Sequence, residues 1–296
     1  MSGWSLVVLL GAAWTAVGVV VSEGRRRECP VPQFYLAGSL VAVTILLFLA
    51  GGTGARAIFL PESRLAVAGF FVGSLFNGAG QAVSMMNLER GGRALAFAIP
   101  QQAFLFPYLW SRFFWGQRAS LLSCCGIALI VCAIFYLAVT RSSDRSSSLP
   151  FRRIMIAVLA LFLIGTSQIF IVSSARLESA QGLSKFASSG VILGANVVFF
   201  LFWSLIRRRE FGSYRLYLQF GALWGVFAAA SYCVLFTALE VLGRTNRDGI
   251  VFPLGAGILI LAYSLFTVVR YREKLNWRQI VAFAALVCGI FCAKLG

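Results

Sequence analysis

Histidine is absent from the 296 residues, and acidic residues number only ten. Enzymes most often transfer protons or bind metals through histidine, or through acidic residues grouped near a base. No such grouping is visible, so the sequence predicts a protein that is not an enzyme and that holds no cofactor. A membrane-embedded enzyme acting on lipids is the least favoured alternative.

The cysteines are few and sit in apolar surroundings. Of the seven, only Cys29 lies in a polar seam, and the other six fall inside apolar stretches. Cysteines placed in this way behave as small buried hydrophobic residues, whereas disulfide frameworks and metal sites need characteristic spacings. The pattern therefore favours free thiols over a disulfide-rich domain or a metal site.

Charge is also scarce, at 12% of the residues, while 59% are hydrophobic. The apolar residues form ten blocks, at 3–22, 33–50, 64–88, 93–115, 119–139, 153–175, 185–206, 215–240, 249–270 and 276–293. Each block is close to the roughly 20 residues that carry a helix across a bilayer. The sequence predicts an all-α integral membrane protein with ten transmembrane helices, multi-pass in the inner (plasma) membrane of the cell.

The net charge of +16 comes from 26 basic residues. On a soluble domain such an excess indicates nucleic acid, but here the basic residues lie in the seams between apolar blocks. We expect the lipid bilayer as a partner and no nucleic acid. Most basic residues fall in the seams that follow the odd-numbered blocks, and the positive-inside rule then predicts that these seams are cytoplasmic and both termini outside.

Several short motifs occur in the same order in both halves of the sequence. Leu-Glu-x-x-Gly-Arg begins at Leu88 and again at Leu239, near the ends of the third and eighth blocks. Further matches follow at a nearly constant offset: Gly69-x-x-x-Gly73 with Gly221-x-x-x-Gly225, Pro100 with Pro253, and Cys132-Ala-Ile-Phe135 with Cys288-Gly-Ile-Phe291. We predict a first five-helix repeat at 1–139, a serine-rich linker at 140–152 and a second repeat at 153–296. Because five is odd, the second copy runs inverted, which is typical of secondary transporters.

The stretch FPLGAGILILAYSLFTVVRYREKLNWRQIVAFAALVCGIF, Phe252 to Phe291, resembles the EamA-like branch of the drug/metabolite transporter superfamily. Its first-half counterpart runs from Pro100 to Phe135, with Gln117-Arg118 where the second half has Glu273-Lys274. The resemblance implies a carrier for a small metabolite or drug, often an exporter. It also implies cytoplasmic termini, the opposite of the charge distribution.

Polar side chains inside apolar blocks are expensive in lipid, so we expect them to face the interior of the bundle. Paired prolines in corresponding helices are a second marker of a transport site. The predicted substrate-binding residues are Trp14, Asn77, Gln81, Pro100, Gln101, Gln168, Asn196, Tyr232, Pro253 and Tyr263. Alternatives stay open: the glycines and amides also suit helix packing, and the prolines also suit the first turn of a helix.

No acidic residue lies in the middle of an apolar block, so no proton carrier is visible. Glu89 and Glu240 are predicted to pair with Arg93 and Arg244, four residues on, and a role in ion coupling is the alternative. These features favour a facilitator of neutral, zwitterionic or amphipathic molecules. A flippase for a lipid or a lipid-linked phosphate is the nearest alternative. The residues leave open the cargo, the coupling ion and whether a homodimer forms.

Overall fold

The computed structural model describes residues 2–89, 99–117, 120–142, 151–206, 214–272 and 276–296. Within these ranges the chain is helical, with no β-strand. The α-helices are α1 (Gly3–Arg26), α2 (Val31–Ala57), α3 (Arg64–Glu89), α4 (Leu105–Phe114), α5 (Leu121–Ser142), α6 (Phe151–Arg176), α7 (Lys185–Ile206), α8 (Tyr214–Gly243), α9 (Val251–Tyr271) and α10 (Trp277–Leu295). Short 3₁₀ turns lie at Pro61–Ser63, Gln102–Phe104, Glu178–Ala180 and Asp248–Ile250.

Eight helices in these ranges are long and apolar enough to cross a membrane: α1, α2, α3, α6, α7, α8, α9 and α10. The chain is therefore an all-α, multi-pass membrane protein. The prediction of ten spans is met only in part. α5 has a shorter apolar portion, Leu121–Leu137, and α4 has ten residues. The fourth block is described only from residue 99, and Arg93 and most of the 140–152 linker lie outside the described residues.

Local sequence explains several helix boundaries. Pro30 precedes α2 and Pro32 sits in its first turn, where the missing N–H costs nothing. Asn276 caps α10, with its side chain and that of Gln279 forming a capping box. α2 is broken at Gly51, which has φ 68° and ψ 176°, a conformation open mainly to glycine. The break follows directly on Ala50, where the predicted second block ends.

The chain forms two compact units that do not follow its two sequence halves. The α5–α10 unit contains Met1–Thr15, Gly80–Gly165 and Ala238–Gly296. The α2–α7 unit contains Ala16–Ala79 and Thr166–Thr237. Each unit takes residues from both halves.

The α2–α7 unit is held together by the packing of α2 against α7. Tyr35 of α2 stacks on Phe200 of α7 with ring centroids 4.9 Å apart, and it meets Trp224 of α8 edge-on at 5.1 Å. A second cluster centres on Phe70 and Phe236, which meet edge-on at 5.4 Å. Burial of such rings gives this unit an aromatic core.

The α5–α10 unit is held together by the packing of α10 against α5. Here the backbones themselves approach. A Cβ atom on Gly126 would lie 2.6 Å from the carbonyl oxygen of Gly289, and one on Gly289 would lie 2.8 Å from that of Gly126. Ser123 donates a hydrogen bond across the same contact to the carbonyl oxygen of Ala293, at 3.1 Å.

The two matched Gly-x-x-x-Gly motifs both serve helix packing. Gly73 of α3 lies against α6, where an added Cβ would come within 2.8 Å of the Phe170 Cβ. Gly221 of α8 lies against α2, where an added Cβ would come within 2.8 Å of the Phe34 carbonyl oxygen. The packing interpretation therefore holds. The sequence match does not extend to the partner helices: Gly73 meets α6, the first helix of the second half, whereas Gly221 meets α2, the second helix of the first half.

Candidate substrate site

The ten predicted site residues divide between the two units. Trp14, Gln81, Pro100, Gln101, Pro253 and Tyr263 belong to the α5–α10 unit. Asn77, Gln168, Asn196 and Tyr232 belong to the α2–α7 unit.

In the α5–α10 unit, one turn of α6 brings α3 and α4 together. A Cβ on Gly80 of α3 would lie 2.6 Å from Cγ1 of Ile164, and a Cβ on Gly165 would lie directly against the ring of Phe106 of α4. Phe106 also meets Phe162 of α6 edge-on, at 5.5 Å. The half-buried Gln81 follows Gly80 directly. We call this junction of Gly80, Phe106 and residues 162–165 the α3–α4 corner.

The 3₁₀ turn just before α4 holds an unsatisfied amide. Gln102 is 3% exposed, and neither its Nε2 nor its Oε1 has a hydrogen-bond partner among the described residues. An orphaned buried amide costs about 1–3 kcal/mol and calls for an explanation, such as a ligand that completes it. Its turn packs against α9. Gln101, the residue we predicted here, is only half-buried, and Pro100 is buried.

Pro253 does not interrupt its helix. It is the third residue of α9, and the 3₁₀ turn Asp248–Ile250 precedes it. A proline in the first turn removes an N–H that has no intrahelical partner. Pro253 therefore fits the alternative explanation, a proline tolerated in the first turn of its helix. The irregular backbone in both halves is the 3₁₀ turn, which lies before α4 and before α9 alike.

The second corner of the α5–α10 unit joins α1 to α9. The Trp14 ring lies 6.3 Å from that of Phe252, centroid to centroid, and a Cβ on Gly255 would come within 2.8 Å of the indole. Trp14 is half-buried. The Thr15 hydroxyl donates to the Gly11 carbonyl oxygen at 2.7 Å within α1, and the Leu259 carbonyl oxygen of α9 lies 3.5 Å from it. We call this junction the α1–α9 corner; Tyr263 is half-buried one turn beyond Leu259.

The predicted site residues of the α2–α7 unit serve packing to different degrees. Asn196 is 3% exposed, and its Oδ1 accepts a hydrogen bond from Ser74 of α3 at 3.0 Å. Ser74 also lies 2.5 Å from the Ile192 carbonyl oxygen. Tyr232 packs against the cluster of Phe70 and Phe236. Both arrangements fit interhelical contacts.

The other two residues of that group are less completely buried than Asn196. Asn77 of α3 is half-buried. Gln168 of α6 is also half-buried, and its Oε1 is shielded from solvent without a hydrogen-bond partner among the described residues. The structure thus separates Asn196 and Tyr232, which pack, from Asn77 and Gln168, which retain hydrogen-bonding capacity.

The comparisons with known proteins bear on the fold. No protein-family model matches the chain, and no curated protein does. The solved structures that the chain resembles include the crystal structure of a protein with a TM-score of 0.69 and 16% sequence identity, over 98% of this chain and 97% of that one. At that identity the likeness shows the fold alone.

Charged groups near the ends of the helices behave as the sequence predicts where they are described. Arg244 donates to Glu240 at 2.7 Å, and both side chains are mostly exposed, so the predicted i,i+4 pair is confirmed. An exposed pair of this kind contributes little to stability. In the loop before α2, burial raises the pKa of the Cys29 thiol, and nearby Arg27 opposes the shift.

Sequence reasoning missed one polar contact in the α5–α10 unit. Gln117, just after α4, donates a short hydrogen bond from Nε2 to Oδ1 of Asp248, and its Oε1 accepts from the backbone N–H of Gly249 at 3.2 Å. Asp248 is 2% exposed. The signal was present as the Gln117-Arg118 departure from the second-half turn, but nothing in the sequence named its partner.

Proposed function

We propose that the chain is a secondary transporter of the drug/metabolite transporter type, built from two inverted five-helix repeats, 1–139 and 153–296. It moves a small metabolite or drug across the inner membrane of the cell by alternating access, in the direction of export. No catalytic step is involved: the chain binds, carries and releases its cargo unchanged.

The observation that carries the proposal is the pairing of helices that lie five apart. α2 packs against α7, and α5 packs against α10. Within the two halves, α2 and α7 are both second helices, and α5 and α10 are both fifth helices. Copies of one unit related by a two-fold axis bring equivalent elements together in this way. The pairing supports a duplication of five helices.

The α5–α10 contact also has the reciprocal form that a two-fold axis requires. Toward one end, Gly126 of α5 lies against Gly289 and Ala293 of α10. Toward the other end, Leu137 of α5 clusters with Ala282 and Phe283 of α10. The earlier part of each helix therefore meets the later part of the other, as expected of a self-complementary interface.

Other corresponding helices make corresponding contacts within the same unit. Asn87, late in α3, donates to the carbonyl oxygen of Arg153, early in α6, at 3.1 Å. A Cβ added to Gly3, early in α1, would lie 2.9 Å from Cγ of Leu242, late in α8. The α3–α4 and α1–α9 corners extend the same correspondence. At the first corner α6 packs against α4, and at the second the equivalent helix α1 packs against α9, the equivalent of α4.

The turns after α4 and α9 correspond as well. Gly116 has φ 60°, and Arg272 has φ 52°. Both lie in the left-handed region, at equivalent places just beyond their helices. Gly116 and Arg272 are as many residues apart in the chain as Cys132 and Cys288, the two cysteines that the sequence comparison of the halves matched. This agreement supports a repeat that continues through the turns.

Neutral hydrogen-bonding groups near the two corners suit an uncharged or zwitterionic cargo. The amides of Gln81, Gln101 and Gln102 each offer donors and an acceptor without a net charge. Trp14 adds a half-buried aromatic face. In a low-dielectric interior such groups bind polar atoms strongly, while a lone charge would find no counter-charge among them. These residues form the proposed substrate site.

The test is a ligand-stabilisation screen of the purified full chain in detergent. Its melting temperature is followed against amino acids, nucleosides, sugars, cationic drugs and isoprenoid phosphates, since a ligand of the native state raises apparent stability. Gln102→Leu removes the orphaned amide. Gln33→Leu is the matched control, because Gln33 is a buried amide in the α2–α7 unit with both polar atoms equally unpaired among the described residues.

We expect a shift with one class of soluble molecule, lost in Gln102→Leu and kept in Gln33→Leu. A shift with isoprenoid phosphates alone would replace the carrier by the flippase. A shift that survives Gln102→Leu would move the site away from the α3–α4 corner. No shift with any class, in protein that still melts cooperatively, would contradict a carrier for these molecules.

A further inference from the structure

The loop after α4 and the 3₁₀ turn before α9 are joined by a two-point polar contact. Gln117 Nε2 donates to Asp248 Oδ1, and the backbone N–H of Gly249 donates to Gln117 Oε1 at 3.2 Å. A single neutral side chain thus uses its donor and its acceptor on two consecutive residues of the other turn. The contact joins the first half of the chain to the second.

The surrounding backbone is shaped to place Gln117 there. Gly116, with φ 60°, reverses the chain directly after α4. The Gln117 N–H then donates to the Ser111 carbonyl oxygen at 3.3 Å, which ties the turn to the helix end. On the facing side Gly249 leaves room: an added Cβ would lie 2.6 Å from Gln117 Oε1 and 2.8 Å from Ser111 Cβ.

The contact is partly buried and borders a small cavity. Asp248 and Ser111 are 2% and 0% exposed, whereas Gln117 is half-buried. The cavity beside Gln117 and Arg247 has a volume of about 20 Å³, which is room for about one water molecule. Water next to a buried hydrogen bond supplies a ready substitute partner, so the bond can open without leaving its groups unsatisfied.

We propose that Gln117 and Asp248 form a latch that holds α4 and α9 together at this end of the α5–α10 unit, and that its opening admits water between them. The inference rests on the proposed transporter function, in which the two repeats separate at one side of the membrane at a time. The equivalent helices α4 and α9 are each preceded by a 3₁₀ turn, and Gln117 joins the turn before α9 to the end of α4. The latch is then one of two opposed gates.

A buried reporter measures the opening directly. Ser111→Cys places a thiol beneath the latch, and its labelling by a membrane-impermeant maleimide is followed by peptide mass spectrometry, so the native cysteines do not interfere. Four latch variants are compared in this background. Three are the single substitutions Gln117→Ala, Gln117→Glu and Asp248→Asn, and the fourth, called the double variant, combines Gln117→Glu with Asp248→Asn. The control is Glu240→Gln, which removes an exposed ion pair within α8 and leaves both turns intact.

We expect Gln117→Glu to raise the labelling rate about tenfold, because it sets two carboxylates against each other in a buried position. Gln117→Ala gives a smaller rise. Asp248→Asn stays within about twofold, since Asn Oδ1 still accepts from Gln117. The double variant returns to within about twofold, because the Asn amide donates to the new carboxylate and Gly249 still donates to its other oxygen.

An unchanged rate in both Gln117 variants, or an equal rise in Glu240→Gln, overturns the latch. If Gln117→Glu does not fold, Gln117→Ala and the double variant give the answer. The labelling needs no ligand, so the two proposals fail separately. A positive ligand screen with unchanged labelling rejects the latch alone. A rise rescued by the double variant, with no ligand found, supports the Gln117–Asp248 contact as a closure between α4 and α9 and rejects its role as a transport gate.

Discussion

The α2–α7 and α5–α10 pairs join helices at the same positions of the two halves, but they do so with opposite chemistry. α2 meets α7 through large rings, with Tyr35 stacked on Phe200 at 4.9 Å. α5 meets α10 closely at two glycines, with Gly126 and Gly289 against each other's carbonyl oxygens. One contact relies on aromatic surface, and the other on close approach of backbones.

The difference shows that two helix pairs at corresponding positions in the chain need not share the chemistry of their contacts. Helix order and pairing are the same in the two contacts, while the residues that make them are not. Sequence matches between the halves therefore mark positions rather than contacts, as the two Gly-x-x-x-Gly motifs demonstrate by meeting different helices. The comparison can be tested by weakening each contact in the way to which it should be most sensitive.

The largest effect is expected in the aromatic contact. Tyr35→Ala removes a ring that is 4% exposed and that touches both Phe200 and Trp224. Loss of a buried aromatic side chain costs about 3–5 kcal/mol. We expect a large fall in melting temperature in detergent, and Tyr35→Phe, which keeps the ring, should stay close to the parent chain. Equal losses in both variants would assign the effect to the hydroxyl instead.

The close-packed contact should respond to the addition of one carbon atom. Gly126→Ala brings a Cβ against the backbone of Gly289 and Ala293, which cannot move aside as a flexible side chain would. Overpacking of this kind costs about 1–3 kcal/mol.

Gly194→Ala in α7 is the control for that change, because nothing lies within 4 Å of its added Cβ. Alanine favours a helix over glycine by about 1 kcal/mol, so the control should be neutral or stabilising. Thermal melts of both variants measure the contrast. A stable Gly126→Ala protein would mean that α5 and α10 do not approach so closely.

A smaller effect is expected for the hydrogen bond between α3 and α7. Ser74→Ala leaves the buried Asn196 Oδ1 without its donor. Interhelical hydrogen bonds in membrane proteins are worth about 0.6 to 1.7 kcal/mol, so the melting temperature should fall modestly. Thr44→Ala in α2 is the control, since Thr44 is exposed and donates only within its own helix. Loss of ligand response with unchanged stability would move Asn196 from packing to the substrate site.

The smallest effect concerns the loop between α1 and α2. Burial raises the pKa of Cys29, so at pH 7.5 less of it is thiolate than in an exposed cysteine. Its alkylation, followed by peptide mass spectrometry, should be slow and should rise at higher pH than for a free thiol. The raised pKa contributes stability below the ordinary thiol pKa and loses it as pH rises through the folded value. Fast alkylation at pH 7.5 would show that the loop is open.

Helix positions could be predicted from sequence, because hydrophobic length and turn chemistry are local. The seventh block, 185–206, coincides with α7, and most other ends differ by a few residues. The fourth block was less well predicted, since a 3₁₀ turn at Gln102–Phe104 shortens α4. Periodicity carries no signal for a 3₁₀ turn, whose geometry follows from the packing around it.

The candidate site could be predicted only as a set of residue types. Polar residues in apolar blocks identified Gln81 and Gln101, but burial singled out the neighbouring Gln102, and adjacent glutamines have no sequence feature that separates them. Asn196 and Tyr232 looked equivalent to these until their contacts were seen. Whether an amide is paired depends on atoms from other helices, which one helix does not encode.

Membrane insertion, helical class and the approximate positions of most helices follow from hydrophobicity along the chain, because lipid forces every backbone group to bond within its own segment. The tertiary structure decided which helices meet, which glycines are in contact and that Gln117 lies against Asp248. Between helices in lipid there is little hydrophobic preference for one partner over another. Shape and a few polar contacts therefore make the choice, and they exist only once the helices are assembled.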